Sequence, residues 1–187
     1  MLLCASATAF SRSGGFAGPQ DGLDEAGRRD AGRIVLPRRF GEIAYCSPAV
    51  SAQQTAQAMG CTTQIEPLLA DLDNGEWSGL SFAAIEEAEP GALMAWLQAP
   101  EGGAKGGESL DAACARIAPW LDRLAEQNTP VLAVTHPMLV RAILAQTLGL
   151  PVATTLSIDL APLCRVMLSF NGEWRLQSLG AGSAIAN

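Results

Sequence analysis

The segment Val131–Thr135 constrains the fold more than any other part of the sequence. It is a short, continuous run of apolar and branched residues, as expected of a strand buried on both faces of a sheet. It runs straight into His136-Pro137 and then into a helical pattern from about Met138 to Leu148. A strand that passes directly into a helix is the repeating unit of a parallel sheet covered by helices, so the segment predicts an α/β protein.

The same alternation recurs along the chain. Apolar runs predict further strands at Met1–Ser6, Ile43–Cys46 and Thr63–Glu66. Helix signals follow Asp24 (to about Leu36), Ser47-Pro48 (to about Met59), Ser81, Pro90 and Ser109 (to about Gln127). Loops are predicted at Ser11–Gly22, Asp71–Gly79 and Glu101–Gly107. Near the end, Leu163–Phe170 and Glu173–Leu179 flank Asn171-Gly172, a strong hairpin signal.

These elements predict a three-layer α/β/α fold, with a mostly parallel central sheet, helices on both faces and a C-terminal β-hairpin. A chain of 187 residues fits one domain and buries about 70% of its unfolded surface. Neither a linker nor an internal repeat divides the sequence. We therefore predict a single domain over residues 1–187.

Charge and composition exclude several classes of partner. The formal net charge is −7, and the twelve basic residues are Lys105 and eleven scattered arginines. Nucleic acids and anionic membranes require a basic face, so neither is an expected partner. No apolar run reaches the ~18 residues of a membrane span, and Met1–Ala7 is interpreted as the first strand rather than a signal peptide because it lacks a basic start.

Cysteine spacing indicates neither a metal site nor a redox motif. The five cysteines lie far apart without a CxxC pair, and no cofactor or metal is predicted. Their apolar settings indicate reduced, buried thiols and a cytoplasmic location.

His136 is the only histidine in the chain and the first candidate for chemistry. It stands where a predicted strand passes into a helix, and the N-terminal amides of helices attract anions. Ligands of open α/β sheets bind beyond the carboxyl ends of the strands, which is where this residue falls. From composition alone, a histidine that is merely hydrogen-bonded in a turn is the favoured interpretation.

Several segments, taken in order, resemble the histidine phosphatase superfamily (phosphoglycerate mutase-like) over residues 2–150. The matching pieces are Leu2–Thr8; Phe16, Gly18, Asp21, Leu23, Gly27 and Ala31; Cys46-Ser47-Pro48 with Thr55-Ala56; Leu69, Asp71, Gly75, Trp77 and Gly79; Gly106–Ser109 with Arg116; and Val131–His136 with Arg141. Each piece is weak alone. Their order and spacing together imply the phosphatase fold.

The departures from that resemblance concern the phosphate site. In the family, a histidine at the end of the first strand attacks phosphorus, and the matching position here is Ala5, which carries no nucleophile. The arginine before it, which would grip phosphate through a bidentate fork, is replaced by Cys4. The glycine after it is Ser6, and a second pocket arginine is replaced by Ser51.

The remaining positions follow the same trend. A loop asparagine falls on Ser11 and a loop arginine on Gly15, and Asp71 stands where the family has a catalytic glutamate. His136 is retained, followed by Pro137 where the family often has glycine. Losing the nucleophile of an integrated site costs around a millionfold in turnover, so this sequence predicts a site without family-level activity.

Other residues offer substitutes for the lost groups. Cys4 suggests cysteine-phosphatase chemistry, but the nearest arginine, Arg12, lies too far along the chain for that loop, and a small buried side chain is the favoured interpretation. Arg12 either swings in to bind an anion or is an ordinary solvated loop residue. Asp71 and His136 together form a possible acid-base pair for polarising water.

Three hypotheses follow for the function. The first is a pseudophosphatase with a binding or regulatory role, whose partner is an unknown small molecule or protein and whose oligomeric state is not predicted. The second is a weak or altered hydrolase that uses His136 and Asp71 as catalytic residues on an unidentified small-molecule ester. The third is a structural protein whose cleft is filled by side chains. The residues predicted to line the pocket are Cys4, Ala5, Ser6, Ser11, Arg12, Ser51 and Pro137.

Overall fold

A twisted sheet forms the centre of the protein in the computed structural model, which describes residues 1–40, 43–127 and 129–180. Its strands within those ranges are β1 (Leu2–Cys4), β2 (Ile43–Cys46), β3 (Thr62–Ile65), β4 (Leu132–Thr135), β5 (Arg165–Phe170) and β6 (Trp174–Gly180). They lie in the order β3-β2-β4-β1-β5-β6. The first four in that order are parallel to one another. Strand β5 is antiparallel to β1, and β6 is antiparallel to β5, so the mostly parallel sheet is confirmed.

Helices cover the sheet. They are α1 (Ala9–Ser13), α2 (Glu25–Ala31), α3 (Val50–Ala58), α4 (Phe82–Ala88), α5 (Ala92–Gln98), α6 (Leu110–Glu126), α7 (Pro137–Leu148) and α8 (Val152–Thr155). The predicted hairpin is confirmed: Phe170 pairs with Trp174, and Gly172 in the turn has a φ of +78°. A left-handed conformation of this kind favours glycine.

The alternation of side chains along the strands divides the core between the two faces of the sheet. On one face, Leu2 and Cys4 pack with apolar residues of α6 and α7, including the fully buried Ile117 and Ile143. On the other face, Leu3 and Ala5, which alternate with Leu2 and Cys4 along the chain, pack against small residues of α3. Because Ala5 belongs to this second core, the end of β1 is anchored by packing as well as by hydrogen bonds.

The largest difference from the predicted elements is α1, which lies partly in the predicted loop Ser11–Gly22. Thr8 and Ser11 form a capping box in which each side chain bonds the other's backbone N–H at 3.0 Å. Two glycines directly after Ser13 end this helix before an apolar periodicity can develop. The cap alone is its sequence signature.

Other boundaries shift by a few residues. The first strand ends at Cys4 rather than Ser6, β3 lies one residue earlier than predicted, and α2 ends at Ala31 rather than near Leu36. The α3 helix begins at Val50 instead of directly after Ser47, and the Ser47 hydroxyl accepts from the Ala49 N–H at 3.2 Å while lying 3.0 Å from His136 Nε2. The helix start predicted at Ser47-Pro48 was therefore wrong.

The loop predicted at Glu101–Gly107 begins as part of a 3-10 helix over Pro100–Gly102. The rest of it is bonded to the loop Asp71–Gly79. Glu76 N–H donates to the Lys105 carbonyl at 3.1 Å, and Glu108 N–H donates to the Asp73 carbonyl at 2.7 Å. In the described part of the chain, no helix has the length and apolar character needed to cross a membrane.

Candidate active site

A cavity of about 450 Å³ opens at the carboxyl ends of β1 and β4. Its floor is formed by the residues that follow those strands, and its outer wall is formed by the α4–α5 region. Ligand sites of doubly wound sheets lie at this edge, and the volume falls in the range of small-molecule pockets. The cavity is open, which contradicts the third hypothesis of a cleft filled by side chains.

Ala5 and Ser6 line the floor of the cavity. Ala5 is fixed by its backbone N–H, which donates to the Thr135 carbonyl at 2.6 Å. Ser6 is held by two bonds: its N–H donates to Thr55 Oγ1 at 2.9 Å, and its hydroxyl donates to the Gly27 carbonyl at 2.8 Å. The methyl group of Ala5 therefore occupies a rigid position at the floor, with no reactive atom.

His136 stands at the first turn of α7, buried to 9% exposure. Its Nε2 lies 3.0 Å from the Ser47 hydroxyl, and its Nδ1 lies 3.6 Å from Asp71 Oδ2. The three side chains thus form a Ser-His-Asp array. Ser47 itself is fully buried and does not line the cavity, so a substrate cannot reach its hydroxyl. We assign it the role of orienting the imidazole ring.

Asp71 is placed by a bond from the next residue and by Arg116, which bonds carbonyls of its loop. Its Oδ1 accepts from the Leu72 N–H at 2.9 Å. Arg116 on α6 donates to the carbonyls of Leu68 at 2.7 Å and Asp71 at 3.4 Å, and its guanidinium pairs with Glu108 at 2.7 Å. The arginine thus fixes the loop that carries Asp71 against α6.

Apolar side chains dominate the outer wall. Phe16, Phe82 and Trp96 face the cavity, and Phe16 contacts the other two rings edge-on at centroid distances of 5.3 and 5.7 Å. Trp77 stacks on the far side of Phe16 at 5.6 Å but is buried in a small separate core. Trp77 therefore packs its loop onto the body of the protein rather than shaping the cavity.

The loop before Phe16 is bonded along its length to the segment before α4. Phe16 N–H donates to the Leu80 carbonyl at 3.1 Å, and Phe82 N–H donates to the Gly14 carbonyl at 3.1 Å. A Cβ atom on Gly15 would lie 2.7 Å from the Leu80 carbonyl oxygen and 2.5 Å from the Phe10 ring. Such distances are too short for any side chain, so this pairing requires glycine at position 15.

Arg141 is the one arginine or lysine that lines the cavity in the described part of the chain. Its guanidinium donates to the carbonyls of Thr155 at 3.1 Å and Ile158 at 2.9 Å. Burial lowers the pKa of this guanidinium below its ordinary value. The cation is thus largely committed to the end of α8 and the turn after it rather than free to grip a ligand.

Five of the seven residues predicted to line the pocket do so, namely Ala5, Ser6, Ser11, Ser51 and Pro137. Asp71 and His136 lie there as well. Cys4 does not, because its side chain points into the core of the opposite face and has no exposed surface. Arg12 does not either, because its guanidinium turns outward to an ion pair with Asp24.

Burial raises the pKa of the Cys4 thiol to about 12. The thiolate, the reactive form, is then on the order of one part in ten thousand at pH 8. We expect Cys4 in the native protein to resist 5,5′-dithiobis(2-nitrobenzoate) at pH 8 and to react promptly after unfolding in guanidinium. Fast labelling of Cys4 in the native protein, located by peptide mass spectrometry, would contradict the buried placement.

Neither the outer wall nor Arg141 was predicted to line the pocket. The wall residues Leu93, Trp96 and Leu97 recur at helical spacing on α5, and this amphipathic pattern was the available signal. Ser47 was identified as a helix cap and as part of the Cys46-Ser47-Pro48 match, but its contact with His136 was not predicted. Among the described residues, no cluster of histidine, cysteine and acidic side chains is placed to hold a metal ion.

Comparisons with known proteins agree with this architecture. A mycobacterial glucosyl-3-phosphoglycerate phosphatase solved with VO3 superposes with a TM-score of 0.85 at 27% identity, covering 96% of this chain and 97% of that one. The α-ribazole phosphatase of Shigella flexneri shares the fold with a TM-score of 0.84 at 20% identity, covering 100% of this chain and 98% of that one.

Curated relatives share more of the sequence over shorter lengths. A bifunctional protein of Mycobacterium tuberculosis is 31% identical over 175 residues, which are 87% of this chain and 48% of that protein. The glucosyl-3-phosphoglycerate phosphatase of the same organism is 32% identical over 147 residues, 70% of this chain and 66% of that one. The chain thus spans about half the length of the first of these relatives.

The family model of the histidine phosphatase superfamily (branch 1) matches residues 1–181. That match, the sheet order and the pocket at the carboxyl ends of β1 and β4 agree with one another, and the chain belongs to the histidine phosphatase superfamily.

Proposed function

We propose that this protein is a pseudophosphatase: it keeps the phosphatase fold and a ligand pocket, forms no phosphohistidine, and acts by binding or regulation. The observation that carries the proposal is Ala5 on the pocket floor. It stands where the family's nucleophile is expected, and its methyl group cannot attack phosphorus. Some relatives bear the name glucosyl-3-phosphoglycerate phosphatase, so the loss concerns this chain rather than the family.

Loss of positive charge supports the same conclusion. A phosphate dianion is normally held by guanidinium groups in bidentate hydrogen bonds. Here Ser51 lines the pocket where one arginine is expected, and Cys4 lies in the core where another is expected. Arg141 remains nearby, but two backbone carbonyls take its hydrogen bonds. A dianion in this cavity would lose its hydration without an adequate set of donors.

The position of His136 further weakens a catalytic role. Both ring nitrogens face protein groups, Ser47 on one side and Asp71 on the other. A general base must reach the proton that it removes, directly or through one water. As placed, Nε2 bonds the buried Ser47 hydroxyl, and Nδ1 is directed at the Asp71 carboxylate, although at 3.6 Å the two do not form a hydrogen bond.

Titration with inorganic phosphate in a calorimeter tests the proposal. We expect the native protein to bind phosphate with a Kd weaker than about 1 mM. The double variant Ala5→His/Ser51→Arg places the lost histidine and one of the lost arginines on the cavity lining, and we expect it to bind phosphate measurably better. Submillimolar binding by the native protein would contradict the loss of the phosphate site.

One observation favours a second function, a weak hydrolase acting on an unidentified small-molecule ester. Asp71 Oδ2 lies 3.6 Å from His136 Nδ1 at the cavity floor, close enough for a small rearrangement to form an acid-base pair. Such an enzyme would lose its activity in His136→Ala. That variant is the discriminating control in the turnover measurement described in the Discussion.

A further inference from the structure

We propose that the pocket binds a neutral aromatic small molecule that carries a hydrogen-bond donor. This inference rests on the proposed function, since it takes the phosphate site to be lost, and it adds the chemical class of the ligand. It is based on three features of the cavity: the composition of its outer wall, the exposed apolar groups at its mouth, and the charges at its floor.

The outer wall suits a flat apolar body. Phe16, Phe82 and Trp96 contribute ring surface to the cavity, joined by Leu93 and Leu97. Aromatic rings bury large areas and prefer offset or edge-on contact with other rings. The opposite side carries Pro137, Met138 and Pro162, so apolar surface faces the cavity from two directions.

The mouth of the cavity leaves apolar side chains in contact with water. Phe82 is 44% exposed and Leu97 is 48% exposed, and both also line the cavity. A contiguous apolar surface of this kind marks a binding site more often than an isolated exposed leucine does. A ligand that fills the cavity would remove part of both side chains from water, which favours binding.

The floor determines the polar part of the ligand. Asp71 keeps acceptor capacity, because Oδ1 bonds the Leu72 N–H while Oδ2 lies 3.6 Å from the imidazole, beyond hydrogen-bond length. The positive charge of Arg141 offsets that of Asp71, and Ser51 adds a neutral hydroxyl. The balanced charge disfavours an anion, and the free carboxylate oxygen favours an N–H or O–H donor.

A matched pair of fluorescent probes tests this class of ligand. N-phenyl-1-naphthylamine is neutral, aromatic and carries one N–H donor, whereas 8-anilinonaphthalene-1-sulfonate adds an anionic group to the same skeleton. Titrating the native protein into each probe, we expect a Kd of about 10–100 μM for the neutral probe. We expect the sulfonate to bind at least about tenfold more weakly.

Two variants locate the bound probe. Leu97→Asp puts a charge on the cavity wall at a half-exposed position, where folding tolerates it, and we expect it to weaken binding of the neutral probe by about tenfold or more. Phe170→Asp is the matched control, because Phe170 is 40% exposed and lines a separate groove near the hairpin. We expect this variant to bind the neutral probe like the native protein. Circular dichroism checks that both variants remain folded.

The outcomes separate this inference from the proposed function. Tighter binding of the neutral probe, lost in Leu97→Asp and kept in Phe170→Asp, supports the inference. Equal or tighter binding of the sulfonate overturns it, as does binding lost only in Phe170→Asp. A protein that binds neither probe nor inorganic phosphate overturns this inference alone. Displacement of the neutral probe by submillimolar phosphate overturns the proposed function as well.

Discussion

The purified protein is expected to hydrolyse p-nitrophenyl phosphate about a millionfold more slowly than a family member that retains the nucleophile. The physical reason is Ala5, which removes the attacking atom from the cavity floor. Loss of the arginine at position 51 removes transition-state stabilisation of about 3 kcal/mol in addition. These losses overlap and do not sum, because nucleophile and clamp act on the same transition state.

The measurement needs an active comparator and a matched variant. A glucosyl-3-phosphoglycerate phosphatase of the family serves as the active enzyme, and His136→Ala serves as the variant in the same buffer. We expect native protein and variant to show the same background rate. A native rate well above background that vanishes in His136→Ala would instead establish the weak hydrolase and reject the pseudophosphatase. Screening carboxylic esters in parallel extends the test to substrates without phosphate.

Arg116→Ala is expected to lower the free energy of unfolding by about 2–4 kcal/mol. The substitution leaves the partly buried Glu108 carboxylate without its cation and removes donors from the carbonyls of Leu68 and Asp71. In a protein of this size, each kcal/mol lowers Tm by roughly 2–4 °C. Thermal and urea unfolding followed by circular dichroism both measure the effect.

Arg123→Ala, on the same helix α6, is the matched control. Arg123 pairs with Glu66 at 3.0 Å, but its side chain is 52% exposed. Exposed pairs contribute little, so this variant should lose no more than about 1 kcal/mol. Equal effects of the two substitutions would show that Arg116 has no special role in fixing the loop that carries Asp71.

The fold could be predicted from the sequence because its strongest signals are local. The buried run of β4 followed by His136-Pro137, and the Asn171-Gly172 turn of the hairpin, each specify their element within a few residues. The errors occur where a tertiary contact competes with a local preference. Ser47 carries good helix-cap chemistry and accepts from the nearby Ala49 N–H, yet its hydroxyl also bonds His136, which is 89 residues away in sequence.

The candidate site was predictable on its β-sheet side and not on its outer wall. Resemblance to the family identifies Ala5, Ser51, Asp71 and His136, which the structure brings to one cavity. It also included Cys4, although the alternation of side chains along a strand places Cys4 and Ala5 on opposite faces of the sheet. Apolar side chains such as Trp96 have the same helical spacing whether they face a core or a cavity, so the sequence alone does not distinguish the two.

The close pairing of Gly15 with the Leu80–Ser81 backbone has a consequence for the history of the chain. An arginine returned to position 15 meets backbone atoms within 3 Å of its Cβ, so this single reversion damages the fold before it can restore any activity. The segment before α4 must first move away, and only then is the basic residue tolerated. The pairing therefore fixes the order in which substitutions can restore catalysis. A direct reversion to arginine at position 15 is unfavourable unless the segment before α4 has changed first.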